Sequence, residues 1–152
     1  MKTHVITVAR NFLKGHIREG EPTGFKEKIL SGEKIHTIRA SIEHWSKVID
    51  DVNSGKFILS VREWTGKPYS SKQKEICQFS KLGKQLITID DNGMFYIPKL
   101  EIGESKTTLL TIAQNDGLSQ EDFESWFGLD KIRESKKGIK GIIIHFTDLI
   151  YK

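Results

Sequence analysis

The chain of 152 residues contains a single cysteine, Cys77, and only three prolines. One cysteine closes no internal disulfide and assembles no cysteine-based zinc site, which argues against a cross-linked extracellular framework. No apolar run is long enough to span a bilayer, and residues 1–10 alternate polar and apolar side chains in place of a basic-then-apolar leader. The expectation is a soluble, intracellular protein of the cytoplasm with no membrane partner. His4, His16, His36, His44 and His145 share no metal-ligand spacing, so no metal site is predicted. Neither nucleotide-binding glycine spacing occurs, nor a Gly-x-Ser-x-Gly elbow, and no cofactor is predicted. Internal repeats and low-complexity tracts are missing too.

What is present fits one domain spanning residues 1–152, large enough to close a core without staples. The formal charge is +4, and its placement says more than its size. Residues 62–84 carry Arg62, Lys67, Lys72, Lys74, Lys81 and Lys84 against Glu63 and Glu75, which accounts for the whole excess.

Residues 1–9 read as a strand, with Val5, Ile6 and Val8 apolar. Residues 10–22, with two glycines and one proline, read as a loop or broken helix. Thr23 is a candidate N-cap for a helix reaching Ser31. Residues 41–53 place Ile42, Trp45, Val48 and Ile49 at helical spacing, with Ser41 as cap and the Trp45 face inward. Residues 56–64 form the strongest strand signal, Phe57, Leu59 and Val61 pointing one way and Ile58, Ser60 and Arg62 the other. A turn at 66–69 and a polar loop lead to a strand around 75–80, a bend around Gly83, and a strand ending at Asp-Asp-Asn-Gly, residues 90–93. Residues 94–97 return as its partner, limited by Pro98. Helices follow from Thr107, with Leu109, Leu110 and Ala113 inward and Gly117 as stop, and from Ser119, where Asp122 nearly completes a capping box and Phe123, Trp126 and Phe127 face inward. A charged link at 130–137 precedes a closing strand, expected to pair near the first strand or in a barrel wall. This order indicates an α+β or barrel protein, since long helices do not alternate with strands as in a doubly wound sheet.

The stretch that concentrates chemistry is residues 25–39, FKEKILSGEKIHTIR. Phe25, Ile29 and Leu30 are assigned to one helical face, Gly32 ends the helix in the left-handed conformation, and a strand begins near Lys34. Lys34, Thr37 and Arg39 thus bring an amine, a hydroxyl and a guanidinium to a helix-to-strand junction. Because residues three apart in a regular strand face opposite ways, Lys34 and Thr37 share a pocket only if Lys34 belongs to the turn or the strand is bulged. Otherwise Lys34 is a solvated charge and Thr37 an ordinary strand residue. His36, as Thr37's strand neighbour, should point away from it and reads first as a surface or core residue.

The run from Ile29 to Arg39, a hydrophobic helix end, a Gly, a Lys and then Thr-x-Arg, resembles the signature of the ASCH domain, a relative of the PUA domain of RNA-modifying proteins. The resemblance implies a PUA-like small β-barrel with flanking short helices. It also implies that Lys34 and Thr37 act with a carboxylate from a later helix, matched to Asp116, as in small bacterial members that hydrolyse N4-acetylcytidine. Those enzymes carry Glu where Asp116 stands, Thr where Ile35 stands, and a shorter chain through the region of residues 62–80.

Two functions follow. In the first, an ASCH-type domain binds RNA or a modified nucleotide beside the strand of residues 34–39. Lys34 and Arg39 hold phosphate or base, and Arg62, Trp64, Lys67, Tyr69, Lys72 and Lys74 supply the basic, aromatic surface that single-stranded nucleic acids follow. The bland reading of that surface is a solvated lysine-rich loop between strands that own Trp64 and Phe79. In the second, a metal-independent amidohydrolase removes an acyl group from a nucleoside, with Thr37 as nucleophile, Lys34 as base and Asp116 as orienting or proton-shuttling group. A protein-interaction domain with an unused cleft is the third, bland alternative. Binding is preferred, because the basic loop exceeds what a free nucleoside needs.

Overall fold

The computed structural model describes residues 1–90, 94–97, 108–128 and 138–152. Strand β1 (Lys2–Thr7) pairs in parallel with β3 (Phe57–Trp64), and β4 (Gln73–Phe79) pairs antiparallel on the other side of β3. The second sheet has the order β2 (His36–Arg39), β7 (Ile139–His145), β5 (Gly83–Ile89), β6 (Phe95–Tyr96), all antiparallel. Helices α1 (Phe25–Ser31) and α2 (Ile42–Asn53) lie in the long crossover between β1 and β3, while α3 (Leu109–Asn115) and α4 (Gln120–Trp126) precede β7. This is an α+β fold of two sheets and four helices among the described residues, and no strand ladder there joins the sheets into a closed barrel.

The hydrophobic positions explain most of these elements. In α2 Val48, Ile49 and Val52 are buried, with Trp45 half-buried beside them. Ile142, Ile143 and Ile144 of β7 are fully buried, as suits a strand with neighbours on both edges and covered on both faces. Leu59, Ser60 and Val61 are buried in succession, so β3 too is covered on both faces in mid-strand, and its register against β4 shifts between Val61 and Arg62.

Several expectations are corrected. Leu30 and Leu110 are exposed, because a helix of seven residues buries one narrow stripe, held by Phe25 and Ile29 in α1 and by Ile112 and Ala113 in α3. The N-cap of α1 is Gly24 at φ 71°, with no side-chain cap. One residue earlier, the Thr23 hydroxyl does accept from the free Phe25 amide, as its sequence suggested, and it also donates to the carbonyls of Ala9 and Arg10, tying the start of α1 to the end of β1. Ser41 also caps without a side-chain bond, whereas Ser119 accepts from the Asp122 amide as its sequence suggested. Gly83 lies inside β5, and the chain bends before it. The closing strand joins β2 and β5 and leaves β1 to the other sheet. Residues 91–93 of the expected turn, Pro98, Thr107 and the charged link 130–137 lie outside the described residues.

Candidate functional site

Helix α1 ends at Gly32, whose φ of 79° lets the backbone reverse, and the amides of Glu33 and Lys34 both donate to Lys28 O. Lys34 is therefore the last residue of a turn. The next amide, Ile35 N, donates to Asn115 O, and β2 starts only at His36. The alternation of strand side chains begins after Lys34, so Lys34 and Thr37 line the same cleft despite their spacing.

That cleft, of about 390 Å³, is lined by Lys34, Thr37, Arg39 and Asp116, by Phe25, Trp64, Tyr69, Trp126 and Phe127, and by residues 7–9 at the end of β1. Asp116 caps α3, its amide donating to Ile112 O and Ala113 O. Lys34 Nζ donates to the Asp116 carbonyl at 2.6 Å and to Asp116 Oδ1 at 3.2 Å, and lies 4.4 Å from the centre of the Phe25 ring. Burial pushes the Lys34 ammonium below the usual lysine range, and the neighbouring Asp116 charge opposes that shift. The Lys34 stem fits because Gly117, at φ 80°, has no side chain: a Cβ there would approach Lys34 Cβ to 3.1 Å.

Arg39 Nη2 donates to Thr7 O at 2.6 Å, and its guanidinium carbon lies 5.9 Å from the Trp45 ring centre. Burial lowers its pKa as well, again opposed by Asp116, and a guanidinium still keeps its charge. Thr37 is buried, and its hydroxyl meets Arg39 Nε at a long 3.5 Å. No hydrogen bond joins Thr37 to Lys34 among the described residues, since the ammonium is engaged by Asp116.

The aromatic and basic residues of the 62–74 stretch divide. Trp64 and Tyr69 reach the cleft, their ring centres 5.2 Å apart, with Tyr69 at φ 64° and 90% exposed at the mouth. Arg62 is turned along the sheet, donating to Ser60 Oγ and Gln73 Oε1, and Lys67, Lys72 and Lys74 are exposed on the hairpin outside the cleft lining.

Two residues beside the site have roles that spacing did not reveal. His36 is fully buried, which agrees with its core reading, but its Nδ1 lies 3.1 Å from Asp116 Oδ1 and its Nε2 2.5 Å from the Tyr151 hydroxyl. The only signal for His36 was its place inside the Lys-to-Arg run, and Tyr151 carried none.

Among the described residues, no group of three or more His, Cys, Asp or Glu side chains is arranged to hold a metal ion, and no helix is long and apolar enough to cross a membrane. No known protein family, curated protein or solved structure matches the chain.

Proposed function

We propose that the cleft binds the base of an RNA nucleotide or of a modified nucleotide, in a domain of ASCH type whose two sheets are a variant of the PUA-like barrel. The observation that carries this reading is the pairing of an aromatic wall, Trp64 and Tyr69, with a polar floor of buried Lys34 and Asp116 and half-buried Arg39. A flat ring with polar edges matches both surfaces, stacking on the first and hydrogen-bonding to the second. The cleft lies at the smaller end of small-molecule sites, which suits a single nucleotide. Arg39 adds a fixed positive charge for a phosphate or an electron-rich base edge.

The second reading, hydrolysis of an acylated nucleoside, is favoured by the Lys34 and Asp116 contact with Thr37 in the same cleft. Neutral Lys34 would take the Thr37 hydroxyl proton as Oγ1 attacks the acyl carbon. The carbon–nitrogen bond then breaks, the leaving nitrogen takes a proton through Asp116, and water releases the acyl group from Thr37. Burial favours the neutral amine this needs. The binding reading stands first because Lys34 is hydrogen-bonded to Asp116 and not to Thr37.

One experiment separates the two. N4-acetylcytidine is incubated with wild type and Thr37→Ala while Trp fluorescence reports nucleotide binding. Saturable quenching without cytidine release establishes binding alone, release lost in Thr37→Ala establishes hydrolysis, and neither signal with any nucleotide overturns the nucleobase assignment.

A further inference from the structure

Behind the cleft a chain of hydrogen bonds runs from Asp116 into the core. Its directions follow from what each atom is able to donate. Asn115 Nδ2 donates to the Tyr151 oxygen at 3.0 Å. Burial pushes the Tyr151 hydroxyl up to about 12, so it keeps its proton at neutral pH, and its neighbour in the chain is His36 Nε2. With Tyr151 donating to Nε2, that nitrogen accepts, and the ring N–H of His36 lies on Nδ1 and is given to Asp116 Oδ1. Each donor then has an acceptor.

Tyr151 is itself fixed at both backbone ends by Gln85, whose Oε1 accepts from Tyr151 N at 2.8 Å and whose Nε2 donates to Tyr151 O at 3.0 Å. His145, its ring centre 5.5 Å from that of His36 and edge-on to it, donates from Nε2 to the same Gln85 Oε1. On the cleft side, Asp116 Oδ1 is shared by Lys34 Nζ and His36 Nδ1, and Oδ2 has no partner among the described residues. A carboxylate oxygen only accepts, so a ligand atom meeting Oδ2 must carry a hydrogen.

We propose that His36 and Tyr151 are positioning residues that hold the Asp116 carboxylate as an acceptor for an N–H of the bound base, so that the cleft selects a ring bearing an amino group over one bearing a carbonyl at that edge. This rests on the nucleobase reading of the cleft. A carbonyl placed against Oδ2 would set two acceptors face to face in a buried site, and that mismatch separates ligands more sharply than size does. The donor from Nδ1 keeps the carboxylate from rotating its lone pairs away from the cleft, and Tyr151 keeps that donor on Nδ1.

The test compares cytidine 5′-monophosphate with uridine 5′-monophosphate by calorimetry, on wild type, His36→Leu, His36→Asn and Tyr151→Phe, and records the ring nitrogen NMR spectrum of His36 in the free wild type. Wild type should favour the cytidine nucleotide by about tenfold or more. His36→Leu and Tyr151→Phe should bring the ratio toward one by weakening the cytidine nucleotide alone. His36→Asn should recover most of the ratio, because its side-chain amide places an N–H near the lost Nδ1–H. Folded variants that keep the wild-type ratio would overturn the proposal, as would a His36 protonated on Nε2 at neutral pH. If neither nucleotide binds wild type, the nucleobase reading falls, and the His36 spectrum, which needs neither ligand nor variant, decides the hydrogen-bond chain.

Discussion

Lys34 and Asp116 form a buried pair in which one ammonium meets both the side chain and the backbone carbonyl of its partner, at 3.2 and 2.6 Å. Such a pair adds little over an apolar substitute, but losing one member strands the other. Asp116→Asn should therefore destabilise the protein by about 3 kcal/mol in urea titrations. The pH dependence has a definite sign. The folded Lys34 binds its proton less tightly than the unfolded one, so between its lowered folded value and the ordinary 10.5 the unfolded chain holds more protons. Stability from this group is absent at low pH and rises with pH through that window, and Lys34→Met should remove the rise.

His145 gives an acid-side counterpart. Burial, aided by nearby His36, pushes its imidazole down to about 4, against an ordinary value of 6.5. Below 6.5 the unfolded chain takes up a proton that the folded one refuses, so stability should fall as pH drops from 6.5 to about 4, by up to about 3 kcal/mol. His145→Gln should flatten that part of a pH-dependent melting profile. An unchanged slope would show that other groups set the acid limit.

Two glycines in similar backbone conformations should respond differently to alanine. Gly32, at φ 79°, has open space where a Cβ would go, so Gly32→Ala should show only the left-handed backbone cost of about 1 kcal/mol. Gly117→Ala adds contacts of 3.1 to 3.3 Å with the buried Lys34 stem and should cost about 2 to 3 kcal/mol. It should also weaken nucleotide binding, because Lys34 must shift.

The hairpin lysines test whether the proposed nucleotide cleft extends into an RNA-binding surface. Lys67, Lys72 and Lys74 lie outside the cleft lining, so replacing all three by alanine should leave mononucleotide affinity unchanged. Binding of single-stranded RNA should weaken, and its logarithmic salt slope should fall by up to about 2 if each lysine meets one phosphate. An unchanged slope would restrict recognition to the cleft.

The sequence made the local features legible and left the long-range ones hidden. The stop at Gly32, the Ser119 cap, the amphipathic α2 and the strand after Gly55 each follow from a few neighbouring residues. The parity problem of Lys34 and Thr37 could be stated from sequence, together with its solution in a turn, because both depend on residues 32–37 alone. Which strands pair was less accessible. The parallel match of β1 with β3 and the placement of β7 between β2 and β5 are set by the packing of the isoleucines of β7 and the face of α2, and no short motif records that. Leu30 and Leu110 misled because a leucine beside a buried stripe looks like part of it. Tyr151 was invisible because its partners His36 and Asn115 are near it only in space.

The register that joins Thr37 to Ile144 also bears on how the cleft comes into being. Among the described residues β2, which carries Thr37 and Arg39, pairs with β7 alone, far from it along the chain, and β1 pairs with β3 across the whole α1, β2, α2 crossover. Pairings this distant along the chain are slow, since loop closure must precede any gain from contact. The part of the cleft that β2 supplies is therefore held in place only once β7 docks.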